Sequence, residues 1–304
     1  MTSVLANIQK PVYREGFISA VDGVELFYRE WSPVNTEITS VVLFIHGIGL
    51  NSDSHPYGEK ILMPGLLDKG TAFYSIDLRG HGHSGGGIDN IQQYALIRDI
   101  TSHIKHIKED HKNAAIILYG HNFGGILALY YASRSLENVR CVIISEYSKL
   151  IKENVKRIRR PNSFVAISDM VIQKFYHRSR RFEFLTPQEY ERLCSQYKIP
   201  LDSDILNSLE SSAFGEKCVT YGKEFFSACG VGHEQQIFDN ISIPVLMIFS
   251  RNDPFFDIKG AYDIIREIKS LDKELRLVDT GGHYNIIETS RDIVSKWISS
   301  RITN

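Results

Sequence analysis

The chain has 304 residues, a formal net charge of -1 and an apolar fraction of 43%. That length suits one large α/β domain carrying an insertion, and that apolar fraction supports an ordered globular core. The near-neutral balance gives no global case for nucleic-acid binding, so an electrostatic partner needs a local patch.

The first residues, Met1 to Lys10, lack the basic and apolar regions of a signal peptide. No apolar run approaches the roughly 20 residues needed to span a bilayer. Cys141, Cys194, Cys218 and Cys229 show neither C-x-x-C pairing nor zinc-like spacing. They read as free thiols in a reducing compartment. The expectation is a soluble, cytoplasmic protein with no transmembrane segment.

From Tyr13 to Trp31 the pattern predicts a hairpin around the turn signal Asp22-Gly23. Val41 to Ile45 is a fully apolar strand running into His46-Gly47-Ile48-Gly49. A short helix is expected over Tyr57 to Leu67, then a strand over Thr71 to Ile76. Asp77-Leu78-Arg79-Gly80-His81-Gly82-His83-Ser84 follows as a glycine-broken loop, and an amphipathic helix as Asn90 to Glu109. Ile116 to Tyr119 is apolar and β-rich, passes through Gly120-His121-Asn122-Phe123-Gly124, and continues at helical spacing through Ile126 and Leu129. Cys141 to Ser145 is the next strand.

From Glu146 to Asp239 strand-like apolar runs give way to what reads as short polar helices and loops. Val245 to Phe249, a helix over Lys259 to Ser270, a strand over Leu275 to Val278 and a closing helix over Arg291 to Ile302 complete the chain. Buried strands alternating with helices argue for a mostly parallel sheet with helices on both faces. The expected division is a core of residues 1–146 and 240–304 enclosing a helical cap of residues 147–239.

The strand–turn–helix around Gly120-His121-Asn122-Phe123-Gly124 is the context of a nucleophile elbow, whose signature is Gly-x-Ser-x-Gly. Its glycines permit a sharp turn and close helix packing. Asp253 follows the strand ending at Phe249, and His283 follows the strand ending at Val278. Elbow, acid, histidine is the chain order of a hydrolytic triad, in which the carboxylate orients the imidazole that moves the proton. Backbone N–H groups of Ile48 and Phe123 would receive a developing oxyanion. His46, Gly47 and His121 would support the pocket, and the polar residues of 77–84 would brace it rather than react.

With these elements the chain resembles the α/β-hydrolase superfamily. Within it, the chain is similar to the monoacylglycerol lipase/lysophospholipase-like and serine aminopeptidase-like group. The resemblance covers most of the chain outside the cap. It implies hydrolysis of a carboxylic ester, or a related acyl transfer, through a serine acyl-enzyme, with no metal or organic cofactor. The implied substrate is a small apolar ester or thioester.

Asn122 stands where that serine would stand. A carboxamide is a poor nucleophile and cannot pass a proton to His283 to become an alkoxide. Three readings stay open. The chain is an inactivated form of a serine enzyme, or, as a lesser version, of an aspartate enzyme. Or Asn122 orients substrate for a non-covalent His283–Asp253 dyad acting as a lyase, decarboxylase or cyclase. Or the protein is a non-catalytic binder that keeps the pocket.

The cap's first half is basic, with Lys152, Lys156, Arg157, Arg159, Arg160, Lys174, Arg178, Arg180 and Arg181 against Glu153 and Asp169. Phe164, Val165, Ile167, Met170, Val171, Phe175 and Tyr176 interleave with them. The pattern reads as an amphipathic lid with a solvated cationic face. The sharper alternative is recognition of an anionic group, such as a phosphate, a phosphopantetheine-bearing carrier or an acidic membrane surface.

Overall fold

The computed structural model describes residues 11–47, 50–52, 66–87, 94–134, 139–147, 156–160, 163–168, 171–176, 181–184, 187–197, 201, 206, 220–222, 234–251, 258–282 and 286–302. The expected helix over 57–67 lies almost wholly outside these residues; a 3-10 turn covers Leu67–Lys69.

The chain begins with strands β1 (Val12–Ser19), β2 (Glu25–Ser32), β3 (Ser40–Ile45) and β4 (Thr71–Ile76). Helix α1 (Ala95–Asp110) leads to β5 (Ala115–His121), α2 (Phe123–Ser133) and β6 (Val139–Ser145). An inserted segment carries β7 (Lys156–Arg160), β8 (Ser163–Ser168), β9 (Val171–Tyr176), β10 (Arg181–Phe184), α3 (Pro187–Tyr197), β11 (Thr220–Gly222) and α4 (Glu234–Asp239). The last part holds β12 (Val245–Ser250), α5 (Ile258–Glu267), β13 (Lys273–Val278), α6 (Ile286–Thr289) and α7 (Arg291–Ile302).

Eight strands form one sheet in the order β1-β2-β4-β3-β5-β6-β12-β13. β2 is antiparallel to both neighbours, and every pair from β4 to β13 is parallel. The central strands are unbroken apolar runs because both their faces are covered. Val41, Leu43 and Ile45 enter one core with Leu118, Ile144 and Met247, packed under α1, α2, α4 and α5. Their neighbours Val42 and Phe44 enter the opposite core with Ile117, Ile143 and Ile248, packed under α6 and α7. Residues alternate between the two faces at the strand period of two. Burying each such side chain contributes about 1.5–3 kcal/mol.

Helices α1 and α7 cover the sheet through one stripe each, whereas α2 is buried on nearly every side. In α1 the buried set is Ala95, Leu96, Ile97, Asp99, Ile100, His103, Ile104 and Ile107. In α7 it is Val294, Trp297 and Ile298. Both sets follow the three-and-four spacing of an amphipathic helix. The expected hairpin, parallel sheet and two-sided helical cover are all present.

The inserted segment contains helices α3 and α4, but it also contains strands that the sequence reading did not anticipate. β7 to β11 form a second, five-stranded antiparallel sheet in the order β11-β10-β9-β8-β7. The pairs Arg160↔Ser163 and Ser168↔Val171 join consecutive strands as hairpins. Dense lysine and arginine hid the β-formers Phe164, Val165, Ile167, Val171 and Ile172, which favour pairing with neighbouring strands over an isolated lid helix. Among the described residues no helix is long and apolar enough to cross a membrane.

Because β3, β5, β6, β12 and β13 run parallel, their carboxyl ends share one edge of the sheet. Sites in open α/β sheets form there.

Candidate active site

β5 ends and α2 begins across one residue, Asn122, whose φ of 52° and ψ of -115° lie outside the ordinary regions for a residue with a Cβ. Such a conformation costs about 1–3 kcal/mol and persists only where its surroundings enforce it. Here Asn122 N donates to Ser145 O at 2.9 Å, and Gly125 N donates to Asn122 O at 3.0 Å. The flanking glycines supply space. A Cβ on Gly120 would lie 2.2 Å from Gly124 O, and one on Gly124 would lie 2.0 Å from Ile45 O. The helix head therefore rests directly on the ends of β3 and β5, and the side chain of residue 122 is held at the sheet edge.

The Asn122 carboxamide turns back on its own helix. Its Oδ1 accepts from Phe123 N at 2.6 Å. Gly47, after β3, lies against it: a Cβ there would be 3.1 Å from Asn122 Cβ and 3.4 Å from His121 Cδ2. Thus the turn after β3 and the elbow meet, and Phe123 lies at their junction. Ile48, Asp253 and His283 lie outside the described residues.

His46 is fully buried, and Leu78 N donates to its Nε2 at 3.0 Å. A nitrogen that accepts carries no proton, so the proton is on Nδ1, which donates to Gly47 O at 2.7 Å. Burial pulls its pKa down to about 4, keeping the ring neutral. His46 therefore fixes the carbonyl of Gly47 rather than exchanging protons. His121 is also buried, with Nδ1 3.1 Å from Ser145 Oγ. Both histidines hold the strand ends on either side of Asn122.

The loop after β4 is closed by hydrogen bonds within itself and to neighbouring segments. Asp77 accepts from Ser52 N at 2.6 Å and from His83 N at 2.8 Å. Ser84 Oγ donates to Asp77 O at 2.6 Å and accepts from Phe27 N at 2.8 Å. Arg79 binds Asp99 at 2.7 and 2.8 Å and Asp22 at 2.6 and 2.9 Å. Hydrogen bonding to Arg79 lowers the Asp22 pKa, whereas burial raises that of Asp99. Burial, reinforced by His46, lowers the His81 pKa to about 3. The loop is a brace.

A residue that the sequence reading passed over sits beside the elbow. Glu146, directly after β6, is buried at 1% exposure with φ of 51°. Its Oε1 accepts from Ser250 N, at the end of β12, at 2.7 Å. Ser250 Oγ in turn donates to Gly281 O at 2.5 Å. Ser250 stands three residues before Asp253, and Gly281 two before His283. The visible signal was an acid directly following an apolar strand, which most often marks a turn.

Among the described residues no group of three or more His, Cys, Asp or Glu side chains could hold a metal ion. Cys141 is a free thiol and, like Cys194, is buried; burial pushes the Cys141 thiol up to about 12. Cys141 is thus no nucleophile at neutral pH.

Comparison with known proteins agrees with this architecture. The human monoglyceride lipase is 24% identical over 303 residues, spanning 92% of this chain and 88% of the relative. A soluble variant of the Saccharomyces cerevisiae monoglyceride lipase, solved with a substrate analogue, superposes with a TM-score of 0.64 at 18% identity, covering 99% of both chains. The ferulic-acid-bound Est1E of Butyrivibrio proteoclasticus superposes at 0.65 with 14% identity, covering 95% of this chain and all of that one. A family model described as alpha/beta hydrolase fold matches residues 40–290. With the eight-stranded sheet and the elbow in place, the chain belongs to the α/β-hydrolase fold family.

Proposed function

We propose that this protein binds small apolar acyl esters or thioesters in a lipase/esterase-like pocket, and that Asn122 disables acyl-enzyme turnover there. One observation carries the reading: the strained residue at the head of α2 presents its side chain beside Gly47, where an acyl-transfer site needs its nucleophile. His283 is assigned the proton-transfer role and Asp253 the role of orienting it. The N–H groups of Ile48 and Phe123 are assigned to the oxyanion once a serine stands at position 122. The names of the relatives, monoglyceride lipases among them, support an ester of a fatty acid as substrate. The segment 147–239 is assigned the role of covering the acyl chain, with its basic first half toward solvent or an anionic headgroup.

Loss of the nucleophile in a serine hydrolase costs about 10⁶ in turnover, leaving binding and oxyanion stabilisation behind. The chain, Asn122→Ser, and Asn122→Ser with His283→Ala are compared on a series of monoacylglycerols and aryl esters from two to twelve carbons. The expected result is hydrolysis that rises at least about 10³-fold with Asn122→Ser and disappears again in the double variant. Turnover unchanged by Asn122→Ser overturns the proposal. A product made only when Asn122 and His283 are both present assigns the site to non-covalent dyad chemistry instead.

A further inference from the structure

The backbone N–H of Phe123 is the first donor of α2, and at an elbow it is the group that meets charge developing on an acyl oxygen. Here it is already engaged. Asn122 Oδ1 lies 2.6 Å from Phe123 N, and a donor that close admits only the oxygen end of the carboxamide. The oxygen occupies the place an acyl oxyanion would need. It carries partial negative charge and only lone pairs, so a second acceptor cannot share that direction without repulsion. Serine would leave the donor open, since its hydroxyl is one heavy atom shorter than the carboxamide.

The surroundings hold the carboxamide in this seat. Gly47 walls one side of residue 122, with the position of a Cβ only 3.1 Å from Asn122 Cβ. The head of α2 lies against the end of the same strand, β3, where a Cβ on Gly124 would fall 2.0 Å from Ile45 O. The backbone of residue 122 is pinned at both its N–H and its carbonyl, to Ser145 and Gly125.

We infer that Asn122 is a specificity-determining residue that fills the oxyanion seat with its own carbonyl, so that the pocket selects uncharged apolar ligands over carboxylates of the same chain length. The inference rests on the acyl-pocket reading above and extends it. An enzyme of this fold releases a carboxylate; this chain repels one and retains a neutral ester or alcohol. Removing the carboxamide exposes Phe123 N–H, a hydrogen bond to a charged acceptor, worth about 10- to 100-fold in affinity.

The test is titration calorimetry with decanoate and with decanol, matched in chain length and differing in charge. Proteins compared are the chain, Asn122→Ala, Asn122→Gly and Asn122→Asp. Glycine accepts the positive φ without strain and serves if alanine does not fold. The expected result is decanoate binding about 10- to 100-fold tighter in Asn122→Ala and Asn122→Gly, with decanol changed less than about threefold. Asn122→Asp keeps an oxygen on Phe123 N–H and adds charge, so it gains nothing for decanoate. Equal responses of decanoate and decanol, or tighter decanoate binding by Asn122→Asp, overturn the inference while leaving the pocket. Binding of neither ligand by any of the four proteins removes the pocket, and the inference with it. Ester turnover by Asn122→Ser reads the pocket independently of both.

Discussion

Two turns leave the same edge of the sheet and handle backbone strain in opposite ways. In the loop after β4, the left-handed conformations fall on Gly80 and Gly82, with φ of 74° and 48°, where no Cβ suffers. In the elbow after β5, the positive φ falls on Asn122, and the neighbouring Gly120 and Gly124 are not in that region. They provide room instead, against Gly124 O and Ile45 O. A turn that only has to close puts its strain on glycine and satisfies its polar groups internally. A turn that puts strain on a side-chain-bearing residue is holding that side chain somewhere, and the fold elsewhere must supply the stabilisation.

The largest expected effect comes from removing the room. Gly124→Ala would place a methyl group 2.0 Å from Ile45 O and 2.6 Å from Ile45 C, both backbone atoms of a central strand. Neither can give way, so α2 must lift from β3. A loss of about 4 kcal/mol or more is expected, read as loss of the cooperative urea transition or a large fall in its midpoint. A variant as stable as the parent would show that the elbow glycines are not spatially required.

In the brace, the corresponding break is polar. Asp77→Ala leaves the N–H groups of Ser52 and His83 without the carboxylate that accepts them at 2.6 and 2.8 Å. The expected cost is about 3 kcal/mol in urea unfolding. In the Asn122→Ser background, KM for esters should change more than kcat, because the loop supports the turn after β3 and touches no reacting atom. A selective loss of kcat would instead place Asp77 in the chemistry.

The same contrast explains what could be read in advance. Strands β3, β5, β6 and β12 are apolar on both faces because helices cover both, so four or five residues of sequence sufficed to find each. The elbow was equally legible, since its glycines mark local space requirements. Glu146 was not. Its burial depends on Ser250 N, 104 positions further along the chain, and nothing in Ile144-Ser145-Glu146-Tyr147 announces that partner. The sheet of β7 to β11 was hidden for a related reason. Lys156 to Arg160 is nearly all basic and becomes a strand by pairing with β8, a non-local choice that composition alone does not disclose. The self-directed contact of Asn122 with Phe123 N required a backbone conformation, which a residue name does not carry.

The smallest and most graded test uses the two buried histidines that lie between the turns. His46 and His81 face each other with ring centroids 5.1 Å apart. Burial holds their pKa values down to about 4 and about 3, and His46 further lowers that of His81. Asp77 acts on His81 in the opposite sense, yet burial outweighs it. Each ring is neutral when folded and titrates near 6.5 when unfolded, so below that value the unfolded chain binds more protons. Their contribution is fully present above pH 6.5 and is lost as pH falls toward the folded values. The expected slope is about 1.4 kcal/mol per pH unit for each ring between roughly pH 6 and 4. His81→Gln keeps a donor for Arg79 O, which His81 Nδ1 approaches at 3.0 Å, and cannot be protonated. Urea midpoints of parent and variant should therefore diverge on acidification, with the variant losing stability less steeply. Parallel pH profiles would mean that His81 is already accessible to protons in the folded protein, and that the brace is looser than its hydrogen bonds indicate.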